Sequence, residues 1–131
     1  MGPPEAHPLE PARVCLLATA EACPGGELAA VVRSCIDAGV GMVQLREKNL
    51  ADSELLECAR ALREVCSAAG ALFVVNDRPD IALLSHADGV HLGQEDLSLS
   101  QARRIVGDNV LIGRSTHSLE QARAAAREGA D

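Results

Sequence analysis

The chain has 131 residues, the length of one ordinary domain, and 47% of them are hydrophobic, which is enough to build a buried core. Its formal net charge of -7 argues against nucleic acid or an anionic membrane surface as the main partner, because both attract clustered Lys and Arg. The only aromatic residue is Phe73, so the core is expected to consist of aliphatic and alanine side chains.

Residues 1–12 are rich in proline and contain no long apolar run, so we expect a flexible tail on a cytoplasmic protein, with no signal peptide or membrane anchor. Residues 13–131 are expected to form the folded portion. The five cysteines are odd in number and include no Cys-x-x-Cys pair, which favours small buried thiols in a reducing compartment over a disulfide or zinc framework.

From Arg13 onwards one unit repeats, in which a short apolar run is followed by a polar loop and a segment of helical period that ends near a glycine. The apolar runs hardly alternate, which predicts strands buried on both faces. Ser98 and Ser118 are expected N-caps, and Pro79 fits a first helical turn. The predicted strands are 14–19, 41–45, 71–75, 89–92 and 110–113, and the predicted helices are 27–38, 52–69, 79–85, 99–106 and 118–129.

Alternation of strands and helices predicts a parallel sheet with right-handed crossovers. Polar residues after successive strands, and the lack of Gly-x-Gly-x-x-Gly after the first, favour a TIM (β/α)8 barrel over a doubly wound sheet. The last residues, 129–131, are similar to the junction at 87–89 that precedes a predicted strand. We therefore expect a barrel truncated after about five β–α units, with a smaller, complete flavodoxin-like sheet as the alternative.

The first polar cluster follows the second predicted strand. Gln44, Arg46 and Lys48 place one amide and two cations next to each other, and this combination suits a phosphate or pyrophosphate. The alternative is a solvated loop in which Glu47 makes an ion pair.

Two further clusters follow the third and fourth predicted strands. Asn76 and Asp77 end the third, where a carboxylate could hold Mg²⁺ against phosphate oxygens, although Asp77 could instead cap the next helix. After the fourth strand, Gly93 would permit a close backbone turn and Asp96 could be a second carboxylate ligand. His91 is expected to face the packed interior and not a substrate.

A weaker cluster, residues 113–117, offers hydroxyl groups that could hydrogen-bond a polar ring, while Ser118 is assigned to capping. Because the carboxyl ends of barrel strands meet at one mouth, these clusters together predict a Mg²⁺–pyrophosphate site.

Four stretches, in this order, resemble the successive signatures of the thiamine phosphate synthase family over roughly Val14 to Asp131. They are Val43-Gln44-Leu45-Arg46-Glu47-Lys48, Val75-Asn76-Asp77-Arg78-Pro79-Asp80-Ile81-Ala82, Asp88-Gly89-Val90-His91-Leu92-Gly93-Gln94-Glu95-Asp96-Leu97 and Gly113-Arg114-Ser115-Thr116-His117.

The resemblance implies a Mg²⁺-dependent transferase of thiamine biosynthesis that joins 4-amino-2-methyl-5-hydroxymethylpyrimidine pyrophosphate to thiazole phosphate. It implies small-molecule substrates, no nucleic-acid or membrane partner and a possible homo-oligomer. The implied roles are pyrophosphate binding by Gln44, Arg46, Lys48 and Asn76, with Arg46 and Lys48 catalytic, metal binding by Asp77 and Asp96, and pyrimidine contact by Ser115.

Three expectations complete this interpretation. The family completes its pyrophosphate and thiazole phosphate sites with later loops that have no counterpart here, so this chain alone is expected to have little activity. A related thiazole tautomerase, with His117 as a proton shuttle, is one alternative. A non-catalytic half-barrel that pairs with a partner is the other.

Overall fold

The computed structural model describes residues 2, 5–23 and 27–131. Five strands alternate with five helices, and a short 3-10 turn at Ala20–Ala22 follows the first strand. The strands are β1 (Cys15–Ala18), β2 (Met42–Leu45), β3 (Leu72–Asn76), β4 (Gly89–Leu92) and β5 (Leu111–Arg114). The helices are α1 (Leu28–Asp37), α2 (Asp52–Ala69), α3 (Pro79–Leu84), α4 (Leu99–Val106) and α5 (Leu119–Glu128). Each predicted element is confirmed, with its ends displaced by at most one residue.

All of the strands are parallel and lie in the order β1-β2-β3-β4-β5. Each helix packs against the next one along the chain, so the helices form a single layer on one side of the sheet. A flavodoxin-like sheet has the order 2-1-3-4-5 with helices on both faces. The flavodoxin-like alternative is therefore wrong, because every strand here pairs with its neighbour in sequence.

The two faces of the sheet differ in burial. The helix-covered face carries the core, and its central side chain is Phe73, which is fully buried. On the opposite face, called the inner face below, Leu17 is 55% exposed and Gln44 and His91 are only half-buried. The expectation of strands buried on both faces is only partly met: Val74 of β3 is buried on the inner face, but Leu17, Gln44 and His91 are not, because helices cover only the other face.

Asp88 fastens β3 to α2 just before β4 begins. Its backbone N–H donates to the carbonyl of Phe73 (2.9 Å), while its Oδ2 accepts from the N–H of Phe73 (2.8 Å) and from Nη1 of Arg63 (3.0 Å). Asp131 repeats the arrangement with the backbone of Ile112 and the guanidinium of Arg103. In both cases a carboxylate accepts a hydrogen bond from the backbone of a strand and connects that strand to a helix through an arginine.

Helix ends follow the sequence signals. The Ser98 hydroxyl accepts from the N–H of Gln101 at the start of α4, and the Ser118 hydroxyl accepts from the N–H of Gln121 at the start of α5. Gly70 ends α2 with φ of 78°, a left-handed conformation that favours glycine. Within the described ranges, no helix is long and apolar enough to cross a membrane.

The segment before β1 lies against the sheet in part. Residues 7–12 form two hydrogen-bonded turns, and Leu9 lines a small cavity of about 90 Å³ on the inner face together with Met42 and Val74. Residues 1, 3 and 4 of the predicted tail lie outside the described residues.

All five cysteines are free thiols, but the expectation that they are buried is only partly met. Cys66 is buried, and its pKa is raised to about 11, chiefly because burial penalises the thiolate. Cys15 is exposed on the inner face of β1, which no helix covers.

Candidate active site

A cleft of about 810 Å³ lies at the carboxyl ends of the strands. Its lining includes every site residue expected from the sequence: Gln44, Arg46, Lys48, Asn76, Asp77, Asp96 and Ser115. These residues come from four different strand ends spread over more than seventy positions of the chain. The parallel sheet, in sequential order, brings their side chains to one mouth.

The two cations lie in the loop after β2. The Arg46 N–H donates to the carbonyl of Ala18 (2.9 Å), which continues the ladder between β1 and β2 past the end of the strand. Glu47 accepts a hydrogen bond from the N–H of Ala20, and within the described part of the chain it makes no ion pair. The alternative in which Glu47 neutralises this loop is therefore wrong, and Arg46 and Lys48 both line the cleft.

Lys48 faces Asp77 across the cleft, with 3.8 Å between Nζ and Oδ2. The two side chains are 60% and 33% exposed, so water screens the pair and the lysine is not committed to it. A ligand with several anionic oxygens could therefore recruit Lys48 and Arg46 together.

Asp77 has an unusual backbone conformation at the end of β3. Its φ is 66°, a left-handed geometry that aspartate tolerates better than most residues. Its N–H donates to the carbonyl of His91 (2.8 Å). The N-cap residue of α3 is Arg78 and no side chain caps the helix, so the capping role considered for Asp77 is wrong and its carboxylate lines the cleft.

The carboxylates of Asp77 and Asp96 are close enough to influence each other. Burial raises the pKa of Asp77, a hydrogen bond and charge repulsion from Asp96 raise it further, and Lys48 and Arg46 oppose the change. Such a pair of oxygen ligands fits Mg²⁺, which binds one or two carboxylates and completes its shell with water and phosphate oxygens. In the described ranges, no three His, Cys, Asp or Glu side chains are grouped to hold a metal, so the pair would need those extra ligands.

Asp96 is held in place by its own loop. Its Oδ2 accepts from the N–H of Gly93 (2.7 Å), and a Cβ on Gly93 would lie only 3.1 Å from that oxygen. Arg114 supports the same loop by donating to the carbonyls of Leu97 (3.0 Å) and Gln94 (3.4 Å). Gly93 was expected to allow a close backbone turn beside a ligand; in the structure its missing side chain leaves room for the Asp96 carboxylate.

Ser115 follows β5 and is held on three sides. Its N–H donates to Leu92 (2.8 Å), its carbonyl accepts from Nε2 of Gln94 (2.6 Å), and its hydroxyl shares a 2.8 Å hydrogen bond with Nε2 of His91. His91 lines the cleft on the inner face, so the expectation that it faces the packed interior is wrong. Its pKa is lowered because burial disfavours the imidazolium, although Asp77 opposes this.

Sequence reasoning missed Gln121 as a lining residue. Its spacing from Ser118 predicts only a capping box, and its N–H does donate to the Ser118 hydroxyl at the start of α5. However, its Oε1 accepts from the N–H of His117 (2.7 Å), which fixes the loop after Ser115 beside the cleft. No local pattern distinguishes this from an ordinary cap, because the proximity to the cleft depends on how β5 pairs with β4.

The site is suited to stabilising an anionic group. Two flexible cations, an amide at the end of β2 and another at the end of β3 surround a pair of carboxylates that suits a divalent cation. A hydroxyl held by an imidazole lies on the β5 side. This arrangement can neutralise negative charge that develops on a leaving group, which requires little proton transfer by the protein.

Comparisons of this chain with a family model, with known sequences and with solved structures all identify the same family. A family model described as thiamine monophosphate synthase matches residues 14–131. A thiamine-phosphate synthase of Synechococcus sp. (strain WH7803) is 49% identical over 124 residues, covering 94% of this chain and 35% of that protein. The corresponding protein of Haloarcula marismortui is 48% identical over 118 residues, covering 90% of this chain and 56% of that protein.

A solved structure of a thiamine phosphate pyrophosphorylase from Pyrococcus furiosus superposes with a TM-score of 0.82 at 37% identity. The superposition covers 89% of this chain and 56% of that one. The chain thus spans between about a third and somewhat over half of the length of these relatives.

Proposed function

This chain belongs to the thiamine monophosphate synthase family, and we propose that it supplies the pyrimidine pyrophosphate site of a Mg²⁺-dependent transferase that makes thiamine phosphate. The observation that carries the proposal is the convergence of Arg46, Lys48, Asp77 and Asp96 on one cleft. The complete reaction would join the aminopyrimidine pyrophosphate to a thiazole phosphate, with release of pyrophosphate.

In this proposal the anionic end of the substrate lies between the loops after β2 and β3. Arg46 offers a planar fork of donors, Lys48 a mobile point charge, and Gln44 and Asn76 neutral amide donors. As the bond to the pyrophosphate oxygen breaks, these groups compensate the growing negative charge, and this lowers the barrier to departure.

Asp77 and Asp96 would hold Mg²⁺ through carboxylate oxygens. When bound, the ion would supply further charge neutralisation at the phosphate oxygens. The Gly93 N–H and the Arg114-supported loop keep Asp96 facing Asp77, so the two carboxylates are positioned before any ligand arrives.

At the other end, Ser115 would contact the pyrimidine ring. Its hydroxyl lies after β5 in the cleft; two backbone hydrogen bonds hold the residue in place, and the bond to His91 restricts where the hydroxyl oxygen can point. The register of β3, β4 and β5 puts Asn76, His91 and Gly113 side by side, so the anionic and ring ends of the site share one layer of the sheet.

We further propose that the five units are the first part of a (β/α)8 barrel. The sequential parallel order and the single helix layer support this, because they are the arrangement of a barrel wall. The five free cysteines support the proposal of a reducing, cytoplasmic location. Homo-oligomer formation stays a prediction.

The two alternative functions are not favoured. A thiazole tautomerase would use His117, which does line the cleft, but it would leave the paired carboxylates without a purpose, and the relatives are named as synthases. A purely structural half-barrel would likewise need no convergent cations and carboxylates.

The proposal can be tested by calorimetric titration of the chain with the aminopyrimidine pyrophosphate in the presence of Mg²⁺. We expect Arg46→Gln and Lys48→Gln each to weaken binding about tenfold or more, because each removes a charge-assisted hydrogen bond. Arg60→Gln is the matched control, because Arg60 is an exposed arginine of α2 that does not line the cleft.

A chemical test complements it, since Lys48 is the only lysine in the sequence. An amine-acylating reagent can modify only Lys48 and the chain's amino terminus, and the ligand with Mg²⁺ should protect Lys48 alone. If the ligand binds but neither cation matters and Lys48 is unprotected, the assigned site is wrong. Absence of binding would contradict the proposed function. Transfer to thiazole phosphate by the 131-residue chain at the rate of a complete synthase would contradict the expected low activity.

A further inference from the structure

We propose that His91 is a positioning residue that sets the orientation of the Ser115 hydroxyl and thereby the recognition of the ring end of the substrate. The inference rests on the proposed function, in which Ser115 contacts an aminopyrimidine. It assigns a role to a residue that the mechanism above leaves without one.

The first observation is the hydrogen bond of 2.8 Å between His91 Nε2 and Ser115 Oγ. A serine hydroxyl has one hydrogen and two lone pairs, and it rotates freely when nothing fixes it. The imidazole occupies one of these positions. It therefore determines whether the hydroxyl presents a donor or an acceptor to a ring nitrogen or amino group in the cleft.

The second observation is that the sheet is shaped around the imidazole ring. Gly113 pairs with His91 across β4 and β5, and a Cβ at Gly113 would lie 2.6 Å from Nδ1 of the ring. Real Cβ atoms do not approach other atoms so closely, so any other residue at this position would displace the ring. The missing side chain of Gly113 is what allows the His91 ring to lie next to Gly113 and reach Ser115.

The third observation separates His91 from the anionic end of the site. Its carbonyl, and not its ring, accepts from the N–H of Asp77 (2.8 Å). A change of side chain at His91 should leave this backbone bond in place. The ring end and the pyrophosphate end of the cleft can therefore be perturbed independently.

The test uses two ligands with the whole 131-residue chain and Mg²⁺: the aminopyrimidine pyrophosphate, and inorganic pyrophosphate, which lacks the ring. His91→Leu should weaken binding of the first about tenfold, the loss expected for one hydrogen bond, and change the second by less than twofold. His91→Gln, whose amide can again partner the hydroxyl, should recover most of the affinity.

Two further variants test the route of the effect. Gly113→Ala should reproduce the loss, because its Cβ displaces the ring. Combining His91→Leu with Ser115→Ala should be no worse than Ser115→Ala alone, because a residue that acts only through the hydroxyl has nothing left to position.

An equal loss of affinity for both ligands in His91→Leu would overturn the inference, since the His91 ring would then support the whole cleft. Additive losses of affinity in the double variant would also overturn it, since the ring would then act on the ligand directly. Unchanged pyrimidine binding in His91→Leu would overturn it as well. Failure of the proposed function is distinguishable, because the unmodified chain would then bind neither ligand. If the unmodified chain binds both equally well, the anionic site stands and ring recognition, with this inference, fails.

Discussion

Replacing Asp88 with alanine should destabilise the fold without touching the cleft. The Asp88 carboxylate accepts from the N–H of Phe73 (2.8 Å) and from Arg63 Nη1 (3.0 Å), and the Phe73 side chain is the largest one that is fully buried. In the alanine variant both donors lose their partner, and the Phe73 N–H lies where little water can replace it.

The size of the effect follows from those two losses. A buried N–H left without a partner costs about 1–3 kcal/mol. The ion pair, whose side chains are 28% and 25% exposed, adds about 0.5–1 kcal/mol after screening by water. We therefore expect Asp88→Ala to lower the free energy of unfolding by about 3 kcal/mol. Asp88→Asn, which can keep one bond through its amide oxygen, should lower it by about 1 kcal/mol.

The measurement is urea denaturation followed by far-ultraviolet circular dichroism. Asp37→Ala is the matched control, since Asp37 also pairs with an arginine, Arg33 at 3.0 Å, but both side chains are more than half exposed. That control should change stability by less than about 0.5 kcal/mol. Equal effects of Asp88→Ala and Asp37→Ala would refute the reasoning, because burial of the Phe73 N–H would then carry no cost.

Three other predictions concern titration and burial. Mg²⁺ affinity, measured by calorimetry with pyrophosphate present, should fall as the pH is lowered towards the raised pKa of Asp77, because protons compete for that carboxylate. Asp96→Asn should move this fall to lower pH, because Asp96 helps to raise that pKa. An unchanged pH profile in this variant would contradict the pairing of the two carboxylates. Arg78 hydrogen-bonds Asp80 and holds its pKa below the usual value, so the stability that Asp80 adds is fully present above about pH 4 and should be lost as the pH falls through the lowered pKa. The difference in unfolding free energy between the native chain and Asp80→Asn should then shrink in acid, and a constant difference would count against the ion pair. Cys66 is fully buried and has a pKa of about 11, so it should react with a thiol reagent at pH 8 only as fast as the chain unfolds. Mass-spectrometric mapping of the labelled cysteine over a urea series measures this rate. Rapid labelling of Cys66 in the native chain would contradict its burial.

Helix and strand positions were accessible from the sequence because each unit carries its own local signals. The apolar period of α2, its closing Gly70 and the N-cap Ser98 of α4 all act within a few residues, and the structure contains them as expected. The polar clusters after successive strands were also visible, and one rule of parallel sheets was enough to predict that Arg46, Asp77 and Asp96 meet.

Whether one or both faces of a strand are buried could not be predicted from local sequence patterns. A short apolar run such as β1 has the same composition whether one face or both are covered, so Leu17 and Cys15 could not be recognised as exposed. Strand order could not be derived from composition either, and the pairing of each strand with its neighbour in sequence removed the flavodoxin-like alternative.

The sequence by itself determined the repeating β–α units, the family and seven of the residues that line the mouth, because these depend on short-range periodicity and ordered motifs. Only the tertiary structure decided what those residues touch. His91 reaches Ser115 because β4 and β5 pair in a register that sets Gly113 beside its ring, and Asp77 is free for the cleft because Arg78, and not Asp77, is the N-cap residue of α3. Contacts between residues far apart in the chain depend on register and on backbone conformation, and neither is encoded by any single stretch of sequence.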